Sequence, residues 1–169
     1  CTIFPLSRLL QSSGSKEFCN ESTGICNFCI SQNKLKYKNM YRSEFCDVDY
    51  LADINVVFVK WKKFCQGKDY REPLLHAIDI IKTHENCHYV ADTRDGFENE
   101  DADTLWVFNE FTPLAASAGC KFIFFIIDHD NNLKEELEGQ SVELKKFFQV
   151  VACFSIDEVK EILQKSPHV

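Results

Sequence analysis

Six consecutive apolar residues, 122–127, form the longest uninterrupted apolar run in the chain, inside the stretch KFIFFIID. The run has the length of one strand and falls far short of the roughly 18 residues that cross a membrane. Successive side chains of a strand point to opposite faces, so a run without polar alternation needs cover on both. The stretch therefore predicts a central parallel strand with helices on each side. An amphipathic helix is expected before it, starting near residues 99–103, where acidic side chains suit the positive end of a helix dipole. That helix should bury Leu105, Phe108, Phe111, Ala115 and Ala118, kink at Pro113 and end at Gly119.

The rest of the body reads as strand–helix units. Residues 44–49 suit a short strand, Asp53, Ile54 and Asn55 a tight turn, and VVFVKW a second strand, so the pair is an antiparallel hairpin. After Gln66 and Gly67, the segment DYREPLLHAIDIIKTHE places Tyr70, Leu74, Ala77, Ile78 and Ile81 on one helical stripe. Pro73 is expected in the first turn of that helix, where its missing N–H costs least. HYVADT is the third strand and KFIFFIID the fourth. A helix over 133–148 follows, through Leu137, Leu144 and Phe147 and weakened by Gly139, and then VVACF as the fifth strand. Ser155 and Glu158 spell a capping box that opens a last helix to about Gln164, and Pro167 stops it. The expected order is β-β-α-β-α-β-α-β-α, an α/β domain with a mixed, mostly parallel sheet covered by helices.

Residues 1–39 differ in kind. QSSGSKEFCNESTG is polar and rich in Gly and Ser, and the only methionine, Met40, precedes the first regular pattern. The expectation is a poorly ordered leader, or read-through of upstream sequence, ahead of one domain at 40–169. The leader carries five Lys/Arg against two Asp/Glu, whereas residues 40–169 carry 14 against 24. An acidic body argues against nucleic acid or an anionic membrane surface as the main partner. Cysteines 46, 65, 87, 120 and 153 are scattered singly through apolar segments, as small hydrophobes are in a reducing cytosol.

The candidate working surface is the cluster Asp92, Thr93, Arg94 and Asp95, where the third strand stops. Open α/β sheets collect ligands and partners beyond the carboxyl ends of their parallel strands, and Arg94 could act there as a fork for a carboxylate or other anion. The bland alternative is that Asp92 and Asp95 satisfy loop amides and pair with Arg94. Trp61, Phe64, Trp106, Phe108 and Phe111 could line an apolar pocket or simply be core. Cys26 and Cys29, with Cys19 and Cys46 on either side, do not have the spacing of a standard zinc knuckle, and no metal or cofactor is expected. His76, His84, His88 and His129 do not fall on a ligand spacing and suit surface or edge roles. The carboxylates of 98–103 read as a solvated helix start. No Gly-x-Ser-x-Gly, phosphate loop or Gly-x-Gly-x-x-Gly occurs, so no catalytic residues are expected.

Taken together, VVFVKWKKF, DYREPLLHAI, YVADTRDGF, FTPLAASAG and FIFFIID resemble the SpoIIAA-like branch of the STAS family, small cytosolic domains related to anti-sigma factor antagonists. The resemblance covers residues 41–164. It implies a small curved sheet with four helices and a protein-binding role. In the classical family a serine of an Asp-Ser-Ser-Gly turn after strand three is phosphorylated by a partner kinase. The matching stretch here keeps Asp92 and a hydroxyl at Thr93, the candidate phosphoacceptor, but has Arg94 for the second serine and its glycine, Gly96, one residue late. The same branch is grouped with lipid-binding Sec14-type domains. The expected function is a non-enzymatic regulatory module with a protein partner and no membrane span. The alternatives are a carrier of a small apolar ligand or lipid and, third, an enzyme using Asp92, Arg94 and Asp95.

Overall fold

The computed structural model describes residues 40–96, 100–129 and 142–166. Residues 1–39, the stretch that carries Leu137 and Gly139, and Pro167 lie outside the described residues. Six strands form one mixed sheet: β1 (Met40–Arg42), β2 (Cys46–Leu51), β3 (Val56–Trp61), β4 (His88–Asp92), β5 (Phe122–Ile126) and β6 (Gln149–Cys153). They lie side by side in chain order. The first two pairings are antiparallel and the remaining three are parallel. The helices are α1 (Lys68–Thr83), α2 (Asp101–Trp106), α3 (Thr112–Ser117) and α4 (Ile156–Lys165), with a π-helical turn, Val107–Phe111, joining α2 to α3.

The α/β class and the hairpin-first order match expectation, as does the placement of β5. Every residue of β5 is buried, and it lies parallel to both β4 and β6. Right-handed crossovers that always step in one direction put their helices on the same face. The core divides accordingly. On one face Val57, Val59, Tyr89, Ile123 and Phe125 pack with α1 residues Leu74, Ala77, Ile78 and Ile81 and with Phe111 and Ala115. On the other, Val56, Val90, Phe122, Phe124 and Ile126 pack against Val159, Ile162 and Leu163 of α4. Lys160 of α4 reaches Asp53 in the β2–β3 turn at 3.6 Å, so this helix spans the back of the sheet from β6 to the hairpin.

Several local expectations need correction. A sixth strand, β1, precedes the predicted hairpin and is too short to show a period. The Ser43 hydroxyl accepts from the Phe45 and Cys46 N–H groups, and this turn pushes β2 two residues beyond the predicted 44–49. Helix α1 begins at Lys68, so Pro73 sits in its second turn. The interruption expected at Pro113 is a π turn just before it, with the Thr112 N–H reaching back five residues to Val107 O. A widened turn is one way to accommodate a ring that clashes with the carbonyl four residues back. That extra residue shifts the helix face. Leu105, expected in the core, is 60% exposed, while Phe108 and Ala118 are half-buried. Phe147 likewise is 56% exposed, and its neighbour Phe148 takes the buried position with Leu144.

Gly119 ends α3 as expected, with φ of 93° and the Cys120 N–H bonded back to Ala115 O. At α4 the Ser155 hydroxyl accepts from the Glu158 N–H, and the Glu158 carboxylate accepts from the Phe154 N–H at 2.8 Å. That is the reciprocal pattern a capping box requires, displaced by one residue on its second arm.

Candidate functional site

Parallel register brings Lys60, Asp92 and Ile126 into one row at the carboxyl ends of β3, β4 and β5. Asp92 is 2% exposed. Its carboxylate accepts from Arg94 Nε at 2.9 Å and Nη2 at 2.7 Å, a two-point fork formed because the side chains at 92 and 94 point the same way. Burial pushes the Asp92 carboxyl up, but the hydrogen bonds and charge of Arg94, with Lys60 nearby, outweigh it and hold the group below its ordinary value. Asp95 pairs with Lys60 at 3.1 Å. Among the described residues Nη1 of Arg94 has no hydrogen-bond acceptor. Arg94 is half-exposed, with Nε and Nη2 held on Asp92 and the charges of Asp95 and Asp128 close enough to act on it.

Thr93 faces the other way. Its hydroxyl donates to Ile126 O at 2.9 Å, its N–H donates to the same carbonyl at 3.0 Å, and the residue is buried. Phosphate transfer to it would first require the strand end to open. Of the predicted tetrad, then, Asp92 and Thr93 build the corner from inside and Arg94 and Asp95 form its surface. The charged surface continues across the hairpin, where Lys62 pairs with Asp47 at 2.9 Å and Arg42 with Asp49 at 2.6 Å.

Gly96 closes the corner. A Cβ there would stand 2.8 Å from the Lys63 Cα, a backbone contact that no rotamer change relieves. Gly96→Ala is therefore expected to displace the 93–96 loop and lower stability by about 1–2 kcal/mol, in the range for overpacking. Chemical denaturation checks this, and an unchanged midpoint would show that the loop moves freely.

The five aromatics do not share one environment. Trp61 stacks on Tyr70 at 5.0 Å and Phe111 packs edge-on against Tyr89 at 5.3 Å, both in the core. Phe64 is exposed, and Trp106 and Phe108 are half-buried against the same core. Trp106 has a second neighbour: the Arg71 guanidinium lies 5.6 Å from its ring centre.

That contact leads to a site the sequence reading missed. Asp103, expected to be a solvated helix-start carboxylate, is buried. Its two oxygens accept from the Gly67 N–H and from Arg71 Nε, each at 2.7 Å. Gly67 has φ of 60° and no side chain with which to cap α1, so the cap comes from α2. A usable signal was present: a helix opening on Gln66-Gly67 lacks an N-cap side chain of its own.

His88 also departs from expectation. It is buried at the start of β4, edge-on to Phe122, and its Nδ1 accepts from the Lys121 N–H at 3.4 Å. Burial, helped by the Lys121 charge, lowers its pKa from 6.5 to about 4. Between those values the unfolded chain binds the proton that the native state refuses. Stability is therefore expected to fall as pH drops across that window, by up to ~1.4 kcal/mol per pH unit. Replacing His88 with Gln should flatten that slope in denaturation curves taken from pH 7 to pH 4, and an unaltered slope would remove His88 as its source.

Cys46, Cys65, Cys87, Cys120 and Cys153 are free and buried, and burial raises every one of these thiols, Cys120 to about 12. Among the described residues no group of three or more His, Cys, Asp or Glu side chains is arranged to hold a metal ion, and no helix is long and apolar enough to cross a membrane. Cys19, Cys26 and Cys29 lie outside the described residues. Comparison of the chain with protein-family models and with curated proteins gave no match.

Proposed function

We propose that the domain is a non-enzymatic regulatory module that binds another protein through the corner of Lys60, Arg94 and Asp95, as its resemblance to SpoIIAA-like domains implies. The observation that carries the reading is the bracing of Arg94. A buried carboxylate fixes Nε and Nη2 of a half-exposed guanidinium, and Lys60 and Asp95 pair at the same strand ends. A preorganised cation of this kind suits a carboxylate on a partner surface, because little side-chain freedom remains to be lost on binding. The mixed α/β sheet covered by helices is of the general class that the resemblance implies. The buried thiols suit a reducing, cytosolic setting. The second reading, a small apolar ligand or lipid, draws no support from Trp61 and Phe111, which packing already engages.

The test reverses the exposed charges and leaves the buried carboxylate alone. Lys60→Glu and Asp95→Lys are expected to remove a specific partner that wild-type protein captures from the source cell; Asp95→Lys should keep the wild-type melting temperature, and Lys60→Glu should lower it through the charge it withdraws from beside Asp92. Identical partner sets for all three proteins would reject the corner as the binding surface.

A further inference from the structure

The two edges of the sheet are protected unequally. At one, β1 has three residues and ends in Arg42, which pairs with Asp49. Short, charged edges of this kind resist pairing with another chain. At the other, β6 has five residues, QVVAC, with no charge, proline or glycine. The Gln149 N–H donates to Lys121 O and Cys153 O accepts from the Ile127 N–H, so residues 149, 151 and 153 turn their backbone groups toward β5. By the alternation of a parallel ladder, Val150 and Ala152 turn theirs outward. Among the described residues no strand pairs with that side. Ala152 is exposed, and just before the strand Val142 and Phe147 are exposed apolar residues as well.

We propose that β6 is a self-association edge, occupied by β6 of a second copy of this chain in antiparallel, two-fold arrangement. The sequence of the strand and its flanks select that occupant. With Val151 on the two-fold axis, Val150 of one copy lies opposite Ala152 of the other, and the two such pairs exchange four backbone hydrogen bonds. Val151 meets its own counterpart, a β-branched cross-strand pair, and no like charges come opposite one another. Beyond the strand, Lys145 and Lys146 of one copy fall on the side of the other copy's α4 start, where Asp157 is exposed; within each copy Lys146 also pairs with Glu143 at 2.6 Å and Asp157 with Lys160 at 3.8 Å. A self-pairing of β1 would have only three residues a side, and its Arg42 is already held in ion pairs with Asp47 and Asp49.

Sedimentation velocity over a concentration series tests this on the full 169-residue chain, with reductant present so that thiols cannot link copies. The wild type is expected to show a reversible monomer–dimer equilibrium. Ala152→Pro removes an outward N–H from each copy without touching the ladder to β5, and should weaken the dimer by roughly 10- to 100-fold at an unchanged melting temperature. If the proline variant proves misfolded, Ala152→Lys serves in its place, keeping every backbone group and adding one charge per copy at the contact. A wild type that stays monomeric throughout, or a dimer that neither variant weakens, overturns the proposal. So does a monomer that accepts an unrelated extended peptide along β6.

Discussion

Arg94→Ala is expected to destabilise the domain by about 3 kcal/mol, although Arg94 is half-exposed. The cost lies with the residue left behind. Asp92 is buried, and removing its fork leaves a carboxylate without the donors that make its charge tolerable, a change worth roughly 3–5 kcal/mol for deeply buried pairs and less where water can reach. Asp92→Asn in the same background should recover most of the loss, because a neutral amide has no charge to strand. Urea denaturation of the two single variants and the double variant measures the coupling. A loss below about 1 kcal/mol for Arg94→Ala would mean that the pair behaves as an ordinary surface bridge.

The pH dependence of the same pair runs in one direction. The folded pKa of Asp92 lies below its unfolded value near 3.8, so near that pH the unfolded chain binds more protons. The stabilisation is present above pH 3.8 and is lost as pH falls through the folded value. Asp92→Asn should remove that acid-side component and leave the His88 component, which acts at higher pH, untouched.

Asp103→Ala is expected to cost about 3 kcal/mol through a different route. It deletes the side-chain acceptor of the Gly67 N–H at the start of α1, worth about 1 kcal/mol as a cap, and strips Arg71 of a short charge-assisted bond. The damage should be local first. Hydrogen exchange is expected to speed up at the Arg71 amide, which bonds to Gly67 O at 2.9 Å in the first turn of α1, before it does so in β4 or β5. Asp103→Asn keeps one acceptor and should lose about 1 kcal/mol. Equal protection of the first turn in wild type and Asp103→Ala would show that α1 needs no cap from α2.

Local pattern carried the elements whose signal is local. The stripe from Tyr70 to Ile81, the unbroken run in β5, the glycine after α3 and the serine before α4 each depend on residues a turn or less apart, and each was readable. The misses are those in which a distant contact or a backbone irregularity decides. Leu105 looked like core because a uniform α period was extended through Val107–Phe111, where the helix widens and its face rotates. Phe147 and Phe148 are adjacent, so which of the two turns inward depends on the turn before β6 and not on hydrophobicity. Nothing local separates Asp103 from its acidic neighbour Asp101. Only the approach of the loop at Gly67, 36 residues away, draws one of them inside.

The corner divides in the same way. The sequence determined that an aspartate, a threonine, an arginine and another aspartate would stand where β4 stops, because strand length and the turn signal after it are written in HYVADTRDG. Which of them would lie at the surface was decided by tertiary structure. Alternation at a strand end sets Asp92 and Thr93 on opposite faces, and parallel register places Lys60 on one side of Asp92 and Ile126 on the other. The carbonyl of Ile126 then takes the Thr93 hydroxyl inward, and the buried carboxylate of Asp92 draws Arg94 into a fork. Both neighbours belong to strands more than 30 positions away in the chain, and pairings across that distance follow from how the sheet closes, not from any pattern within the segment itself.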